Sequence, residues 1–115
     1  HTFGHGIENT FGYGAYLHGE AVSIGMNMAA MLSMLEGNLS QEDTNRIQNI
    51  LTKANLPTTI KESMDSESLI KAMSLDKKSI DGNIRLVLLK SIGESLITGS
   101  YSKENFNTVI SNFCH

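Results

Sequence analysis

Three of the chain's four histidines fall within the first 18 residues, at positions where they could build a metal site: His1, His5 and His18. Imidazole is the commonest protein ligand for zinc-like metals, and its ordinary pKa lies close to neutrality, which suits proton transfer. A catalytic zinc takes three protein ligands and keeps one position open for water or substrate. Two imidazoles from separate segments, joined by one carboxylate, would supply such a set.

Glu8 and Glu20 are the carboxylates nearest to these histidines in the sequence. If residues 1–9 form a helix, then His1, His5 and Glu8 share one face, because they are three or four residues apart. Each residue also has a simpler explanation. A single histidine is commonly a capping or surface residue, Glu8 a solvated carboxylate, and Glu20 a first-turn residue stabilised by the helix macrodipole. Beside a metal, Glu8 could instead be a hydrogen-bonding partner of a ligand. For each residue taken singly, the spacing favours the simpler explanation.

Two glycines, Gly4 and Gly6, interrupt the first predicted helix. Glycine inside a helix costs roughly 0.5–1 kcal/mol relative to alanine, but it lets another chain come close. We therefore expect this helix to lie against another backbone or a ligand.

Lys77 and Lys78 form a second candidate site, in a stretch that also contains Gly82. Their ammonium groups could bind a phosphate or a carboxylate as point charges. Most lysine pairs are solvated loop residues, so the neighbouring sequence alone favours that simpler explanation. Cys114 has no basic neighbours in the sequence, and we interpret it as a structural or incidental residue.

Composition excludes several classes of partner. The chain has 115 residues, 40% hydrophobic and 18% charged, which is enough for one modest core. A net charge of -3 gives no attraction to nucleic acid or to an anionic membrane. No apolar run reaches the ~20 residues that span a bilayer, and a single cysteine excludes an internal disulfide. We expect a cytoplasmic protein with neither a nucleic-acid partner nor a membrane partner.

The periodicity predicts a mainly α, multi-helical fold with one short β-hairpin. Residues 21–35 carry no charge and are apolar on nearly every face, which is typical of a helix at the centre of a helical domain. Residues 84–98 contain apolar and β-branched residues on both sides of Gly93, which favours a hairpin. The other predicted elements are a helix over 2–9 and helices beginning near Ser40, Asp65 or Ser66, and Ser102.

Three motifs together resemble the 3-dehydroquinate synthase family. They are HTFGHGIE at 1–8, LHGEAVSIGM at 17–26 and DKKSIDGNIRLVLLKSIG at 76–93, in that family's order. The combination is far more specific than any one motif. The resemblance implies that residues 1–115 are the C-terminal helical domain of a longer enzyme, whose N-terminal NAD-binding domain is absent from this sequence. A chain that begins on a candidate ligand, without an initiator methionine, fits that expectation.

The resemblance assigns roles to the candidate residues. His1 and His18 resemble the family's two histidine ligands for zinc or cobalt, and the third ligand is a glutamate upstream of this chain. His5 matches a catalytic histidine that contacts the substrate near its phosphate. Lys77 or Lys78 matches a lysine that binds the same phosphate. No residue of this chain is expected to bind NAD.

The implied activity is that of a phosphate-eliminating lyase of the shikimate pathway, which serves aromatic amino acid biosynthesis. Its small-molecule substrate, the sugar phosphate 3-deoxy-D-arabino-heptulosonate 7-phosphate, becomes 3-dehydroquinate and phosphate. NAD takes a hydride transiently and returns it before the ring closes. Complete members are commonly homodimers. The resemblance also implies that this piece alone is inactive and binds neither NAD nor zinc tightly.

The sequence leaves three alternatives open. Another sugar-phosphate cyclase, such as 2-deoxy-scyllo-inosose synthase, would share the motifs, and metal-dependent polyol or alcohol dehydrogenases share the general architecture more distantly. A non-catalytic helical interaction module is an alternative of a different class. Such a remnant need not retain all three histidines and the lysine pair, so their presence favours the enzyme.

Overall fold

The fold consists of helices around a central helix, with one antiparallel hairpin on the side. The computed structural model describes residues 1–12, 14–75 and 83–115. In chain order its elements are α1 (Thr2–Phe11), α2 (His18–Leu35), α3 (Gln41–Lys53), α4 (Ser66–Ser74), β1 (Leu86–Ser91), β2 (Glu94–Thr98) and α5 (Lys103–Phe113). The predicted mainly α fold with a short hairpin is confirmed.

Helix α2 lies at the centre of the fold, as its apolar sequence predicts. Ile24, Met28 and Leu32 are fully buried, and α2 contacts α1, α3, α5 and β1. A helix that is apolar all round can be stable only where neighbours cover most of its surface. The core of the protein is therefore built around α2.

The polar residues of α2 fasten it to the segment that follows α3. Ser23 Oγ donates a hydrogen bond to the carbonyl of Pro57 at 2.6 Å, and Asn27 Nδ2 donates to the carbonyl of Thr58 at 2.9 Å. Buried polar groups are stable only when they are hydrogen-bonded, so these bonds also fix the path of residues 57–58.

Among the described residues, no helix is both long and apolar enough to cross a membrane.

Side-chain caps begin three of the helices at the predicted positions. The side chains of Ser40, Asp65 and Ser102 each accept a hydrogen bond from a backbone N–H in the first turn of α3, α4 and α5. Of the two residues predicted for α4, the cap is Asp65 and not Ser66. Such caps can be predicted from the local sequence, because the oxygen of a short side chain accepts a hydrogen bond from a backbone N–H group that the helix itself leaves unpaired.

The hairpin packs one strand face on the core. Leu86 pairs with Thr98 and Leu89 with Ser95, and Gly93 makes the turn with a φ of 89°. Leu86 and Leu88 are each 1% exposed. Strand β1 begins two residues later than the sequence suggests, and the hairpin lies within the predicted residues 84–98.

Cys114 is a structural residue that packs in the hydrophobic core near the C-terminus. Its thiol belongs to the main hydrophobic cluster, and burial raises its pKa. The adjacent carbonyl of His115 accepts hydrogen bonds from Met64 N at 2.7 Å and from Ser63 Oγ at 2.8 Å. The C-terminal residues therefore tie α5 to the segment before α4.

Ser33 joins the hairpin to α2, and its loss should be costly. Its fully buried Oγ donates to the carbonyl of Ala29 at 2.7 Å and accepts from Leu89 N at 2.9 Å. In Ser33→Ala the amide of Leu89 loses this acceptor, and an unsatisfied buried donor costs about 1–3 kcal/mol. We expect chemical denaturation to show a loss of that size in the free energy of unfolding.

Ser74→Ala is the matched control for this prediction. Ser74 Oγ makes the same kind of intrahelical bond, to the carbonyl of Ile70 at 2.8 Å, but it is exposed. Its replacement should change the free energy of unfolding by less than about 0.5 kcal/mol. Equal effects of the two substitutions would contradict the role given to Ser33.

Candidate metal centre

The three N-terminal histidines come together in space. The ring centroids of His1 and His5 are 5.5 Å apart, those of His1 and His18 are 5.6 Å apart, and those of His5 and His18 are 6.1 Å apart. We call these three residues the imidazole cluster. The side chain of His18 is 59% exposed, so the cluster is open to solvent.

The cluster forms where α1 and α2 both begin. His1 is the residue before α1, His5 lies one turn into it, and His18 is the first residue of α2. The amide of His5 donates to the carbonyl of His1 at 2.6 Å, which closes that first turn. Two of the imidazoles are therefore placed by local helix geometry, and the third arrives from a separate helix.

Glycine contacts bring the two helices close enough for this to happen. A Cβ atom on Gly25 would lie 2.8 Å from the nitrogen of Gly4, and one on Gly4 would lie 3.1 Å from the carbonyl oxygen of Ala21. Ordinary side chains would hold two helices 8–10 Å apart, whereas glycine lets the backbones approach more closely. The predicted close approach at Gly4 is confirmed, and α2 is the backbone it meets.

A tight connection returns the chain from α1 to α2. Gly12 and Gly14 adopt positive φ angles of 77° and 96°, a region that favours glycine. Helix α2 then begins with a capping interaction in which Leu17 N donates to Glu20 Oε1 at 2.8 Å. Glu20 thus has the structural role that its first-turn position indicates.

Glu8 is only partly exposed and contacts a histidine, which the simpler interpretation of a solvated carboxylate does not predict. Its Oε1 lies 3.1 Å from Nδ1 of His18, and its side chain is 29% exposed. The two residues are ten positions apart, so helical spacing within α1 does not reveal their contact. A signal does exist: Glu8 shares the face of α1 that carries His1 and His5.

Tyr16 holds the connection between α1 and α2 against the segment before α4. Its hydroxyl donates to Glu62 Oε2 and accepts from Lys61 N at 3.3 Å. Burial, followed by the bond to Glu62, raises the pKa of Tyr16. The same hydrogen bond lowers the pKa of Glu62. This contact stabilises the fold above the ordinary carboxyl pKa, and the stabilisation is lost as the pH falls through the lowered pKa.

Tyr16→Phe should let the pKa of Glu62 rise toward its ordinary value, because the donor to its ionised form is gone. Carbon-detected NMR titration of the Glu62 carboxyl group measures this directly. Tyr101→Phe is the control, since Tyr101 donates to the carbonyl of Ile84 and not to Glu62. A Glu62 pKa that stays low in Tyr16→Phe would contradict the assignment.

The spacing of the imidazoles is compatible with two ligands of one divalent metal ion. Two imidazoles bound to one tetrahedral zinc at Zn–N distances of about 2.0–2.1 Å would have ring centroids roughly 5 Å apart. The His1–His18 separation of 5.6 Å is close to this value. The His1–His5 separation is similar, so distance alone does not distinguish the metal ligands from the third imidazole.

The described residues do not supply a complete metal cage. Across residues 1–12, 14–75 and 83–115, no group of three or more histidine, cysteine, aspartate or glutamate side chains is arranged to hold a metal ion. Lys77 and Lys78, the predicted phosphate ligands, lie outside the described residues. Of the predicted site, the structure brings together the three histidines, with Glu8 beside His18.

An apolar recess of about 390 Å³ borders the cluster at His1. Its walls include Phe3, Met26, Leu89 and Ile92. A recess of this kind offers few hydrogen bonds to a polar molecule. Polar contacts at its edge would have to come from the side of the imidazole cluster.

Comparison with known proteins identifies the family. A model of the 3-dehydroquinate synthase C-terminal family matches residues 1–79, which is more than half of the chain. The chain belongs to this family. The 3-dehydroquinate synthase of Vesicomyosocius okutanii is 51% identical over 99% of the chain, and that of Ruthia magnifica is 50% identical over the same share. The 3-dehydroquinate synthase of Haemophilus ducreyi is 44% identical over 98% of the chain.

The 3-dehydroquinate synthase family match concerns only part of a longer relative. The chain spans 32% of the length of the first two relatives and 31% of the third. A solved structure, the 2-epi-5-epi-valiolone synthase of Streptomyces hygroscopicus with NAD+ and Zn2+ bound, superposes with a TM-score of 0.82 at 21% identity. It covers 98% of this chain and 31% of its own. At that identity the likeness establishes a shared fold.

Proposed function

We propose that the complete protein containing this chain converts 3-deoxy-D-arabino-heptulosonate 7-phosphate to 3-dehydroquinate and phosphate. The observation that carries the proposal is the imidazole cluster, formed by α1 and α2 in a chain of the 3-dehydroquinate synthase C-terminal family. Residues 1–115 would be its C-terminal helical domain. The rest of the protein would contribute the NAD-binding domain and the third metal ligand.

Within the cluster, His1 and His18 would hold the metal, zinc or cobalt. A bound divalent ion supplies Lewis-acid polarisation of the substrate's hydroxyl groups. Two imidazoles without a third protein ligand form an open set, so the isolated chain should bind metal weakly. The position of the set on the rim of the fold leaves room for an additional ligand from another part of the protein.

His5 would act on the substrate beside the metal. Its ring lies 5.5 Å from that of His1 and 6.1 Å from that of His18, centroid to centroid. An imidazole there can donate a hydrogen bond to a phosphate oxygen of the substrate. It can also transfer a proton to or from the reacting group. Lys77 or Lys78 would add a positive charge to the same phosphate.

The complete protein would use NAD as a catalytic cofactor that accepts and returns a hydride, with no net consumption. We place it in the cytoplasm as a homodimer without nucleic-acid or membrane partners. The solved relative that shares this fold holds NAD+ and Zn2+, and this supports the same pair of cofactors here.

Another sugar-phosphate cyclase activity, such as that of 2-deoxy-scyllo-inosose synthase, is the competing proposal. It is favoured by the fold shared with a 2-epi-5-epi-valiolone synthase. Identities of 44–51% to 3-dehydroquinate synthases, against 21% to that cyclase, favour our proposal. A non-catalytic helical module would have no need for a convergent imidazole cluster.

The test is an assay of the complete protein with NAD and zinc on a panel of sugar phosphates. We expect phosphate release and 3-dehydroquinate formation from 3-deoxy-D-arabino-heptulosonate 7-phosphate alone. The isolated chain should release none. Preference for another sugar phosphate would favour the competing cyclase, and turnover by the isolated chain would contradict the shared site.

A further inference from the structure

One hydrogen bond of the imidazole cluster shows which ring nitrogen of His18 carries a proton. Glu8 Oε1 lies 3.1 Å from Nδ1 of His18, which is hydrogen-bonding distance. An ionised carboxylate can only accept hydrogen bonds, so the Nδ1 atom must carry the proton that is shared. A neutral imidazole has one ring proton, and its Nε2 atom is then left with a free lone pair.

That lone pair is what a metal requires. Metal-binding histidines almost always donate their other ring N–H to a carboxylate, a carbonyl or water, which fixes the tautomer and raises the basicity of the ligand. In this protein the carboxylate comes from α1 and the imidazole from α2. The contact therefore orients His18 relative to the helix that carries the other two imidazoles.

The surroundings of Glu8 suit this role. It is on the same helix as His5, three residues further along, and its side chain is 29% exposed. The position and partial burial of Glu8 place its carboxylate within reach of His18, whose side chain is 59% exposed. Glu20, the other nearby carboxylate, accepts from Leu17 N instead and so serves the start of α2.

We propose that Glu8 is a positioning residue, whose carboxylate holds His18 in the Nδ1–H tautomer and so makes Nε2 its metal-binding atom. The inference rests on the proposed metal site. Glu8 would touch neither the metal nor the substrate, and its effect would pass entirely through His18. Loss of such an outer partner typically costs 10–100-fold in metal affinity.

The test compares Glu8→Ala, Glu8→Gln and Glu20→Ala in the complete protein. Zinc affinity is measured by competition with a chelator. We expect Glu8→Ala to weaken zinc binding by about 10–100-fold. Glu8→Gln, which keeps a neutral acceptor oxygen, should recover part of that loss. Glu20→Ala removes a nearby carboxylate that does not contact His18, so its affinity should stay within about threefold of the wild type.

A second readout separates positioning from a general structural role. Histidine side-chain 1H–15N spectra of the metal-free protein, about two units above the ordinary imidazole pKa of about 6.5, report the tautomer of His18. We expect the Nδ1–H form in the wild type and a gain of the Nε2–H form in Glu8→Ala. Thermal unfolding of each variant shows whether any affinity change merely follows stability.

The outcomes are distinct. Weakened zinc binding together with the changed tautomer in Glu8→Ala, but not in Glu20→Ala, supports the inference. An unchanged affinity and tautomer in Glu8→Ala, with normal zinc binding by the wild type, overturns the role of Glu8 and leaves the metal site standing. Failure of the complete wild-type protein to bind zinc overturns the metal site and this inference with it.

Discussion

Replacing His18 by alanine in the complete protein should remove zinc and activity together, whereas His5→Ala should remove activity and leave zinc bound. His18 would be a metal ligand, and its loss should weaken zinc binding by more than the 10–100-fold typical of an outer partner. His5 would act on the substrate, where proton transfer or donation typically contributes about 10²–10⁴-fold in rate. His1→Ala should behave like His18→Ala.

This contrast is informative because the three rings are almost equally spaced, at 5.5, 5.6 and 6.1 Å. Metal content by atomic spectroscopy and steady-state kcat on the same purified samples measure both properties. Zinc lost from His5→Ala and retained in His18→Ala would reverse the roles that the family resemblance gives to these residues.

Gly25→Ala should destabilise the protein although alanine is the better helix former. The added Cβ would lie 2.8 Å from the backbone nitrogen of Gly4, which has no flexible end to move aside. Overpacking of this kind costs about 1–3 kcal/mol, against a gain in helix propensity of at most about 1 kcal/mol. We expect a net loss of roughly 1 kcal/mol in the free energy of unfolding. Because α1 and α2 would be pushed apart, zinc affinity should fall as well.

Gly19→Ala in the same helix is the matched control. Nothing lies within 4 Å of a Cβ placed on Gly19, so only the propensity term applies. We expect a gain of about 0.5 kcal/mol. Denaturant unfolding of both variants checks the opposite signs. Equal effects at the two positions would show that α1 and α2 do not meet at Gly25.

The local parts of this fold could be predicted from the sequence because their causes are local. Ser40, Asp65 and Ser102 cap helices through bonds to residues three positions away. The charge-free run at 21–35 favours a buried central helix, because so apolar a helix needs neighbours over most of its surface. In contrast, the docking of β1 on α2 depends on a contact between distant segments, in which Ser33 Oγ accepts a hydrogen bond from Leu89 N. The two residues are 56 positions apart, so no periodic pattern in the sequence reveals their contact.

In the candidate site, the contact within α1 could be predicted from the sequence, whereas the contacts between α1 and α2 could not. His1 and His5 are neighbours because a helix turn makes them so. His18 joins them only because Gly4 and Gly25 let two helices approach, and no spacing rule links those two positions. The contact between Glu8 and His18 depends on the same packing, which is why the sequence favours a solvated Glu8. The contact itself becomes visible only in three dimensions.

A calorimetric zinc titration of the isolated chain beside the complete protein tests whether His1 and His18 form part of a metal site that the rest of the protein completes. We predict tight binding of one zinc ion by the complete protein and weak binding by residues 1–115. Tight binding by the isolated chain would contradict this shared site, because a local group such as Glu8 or Glu20 would then have to complete the site.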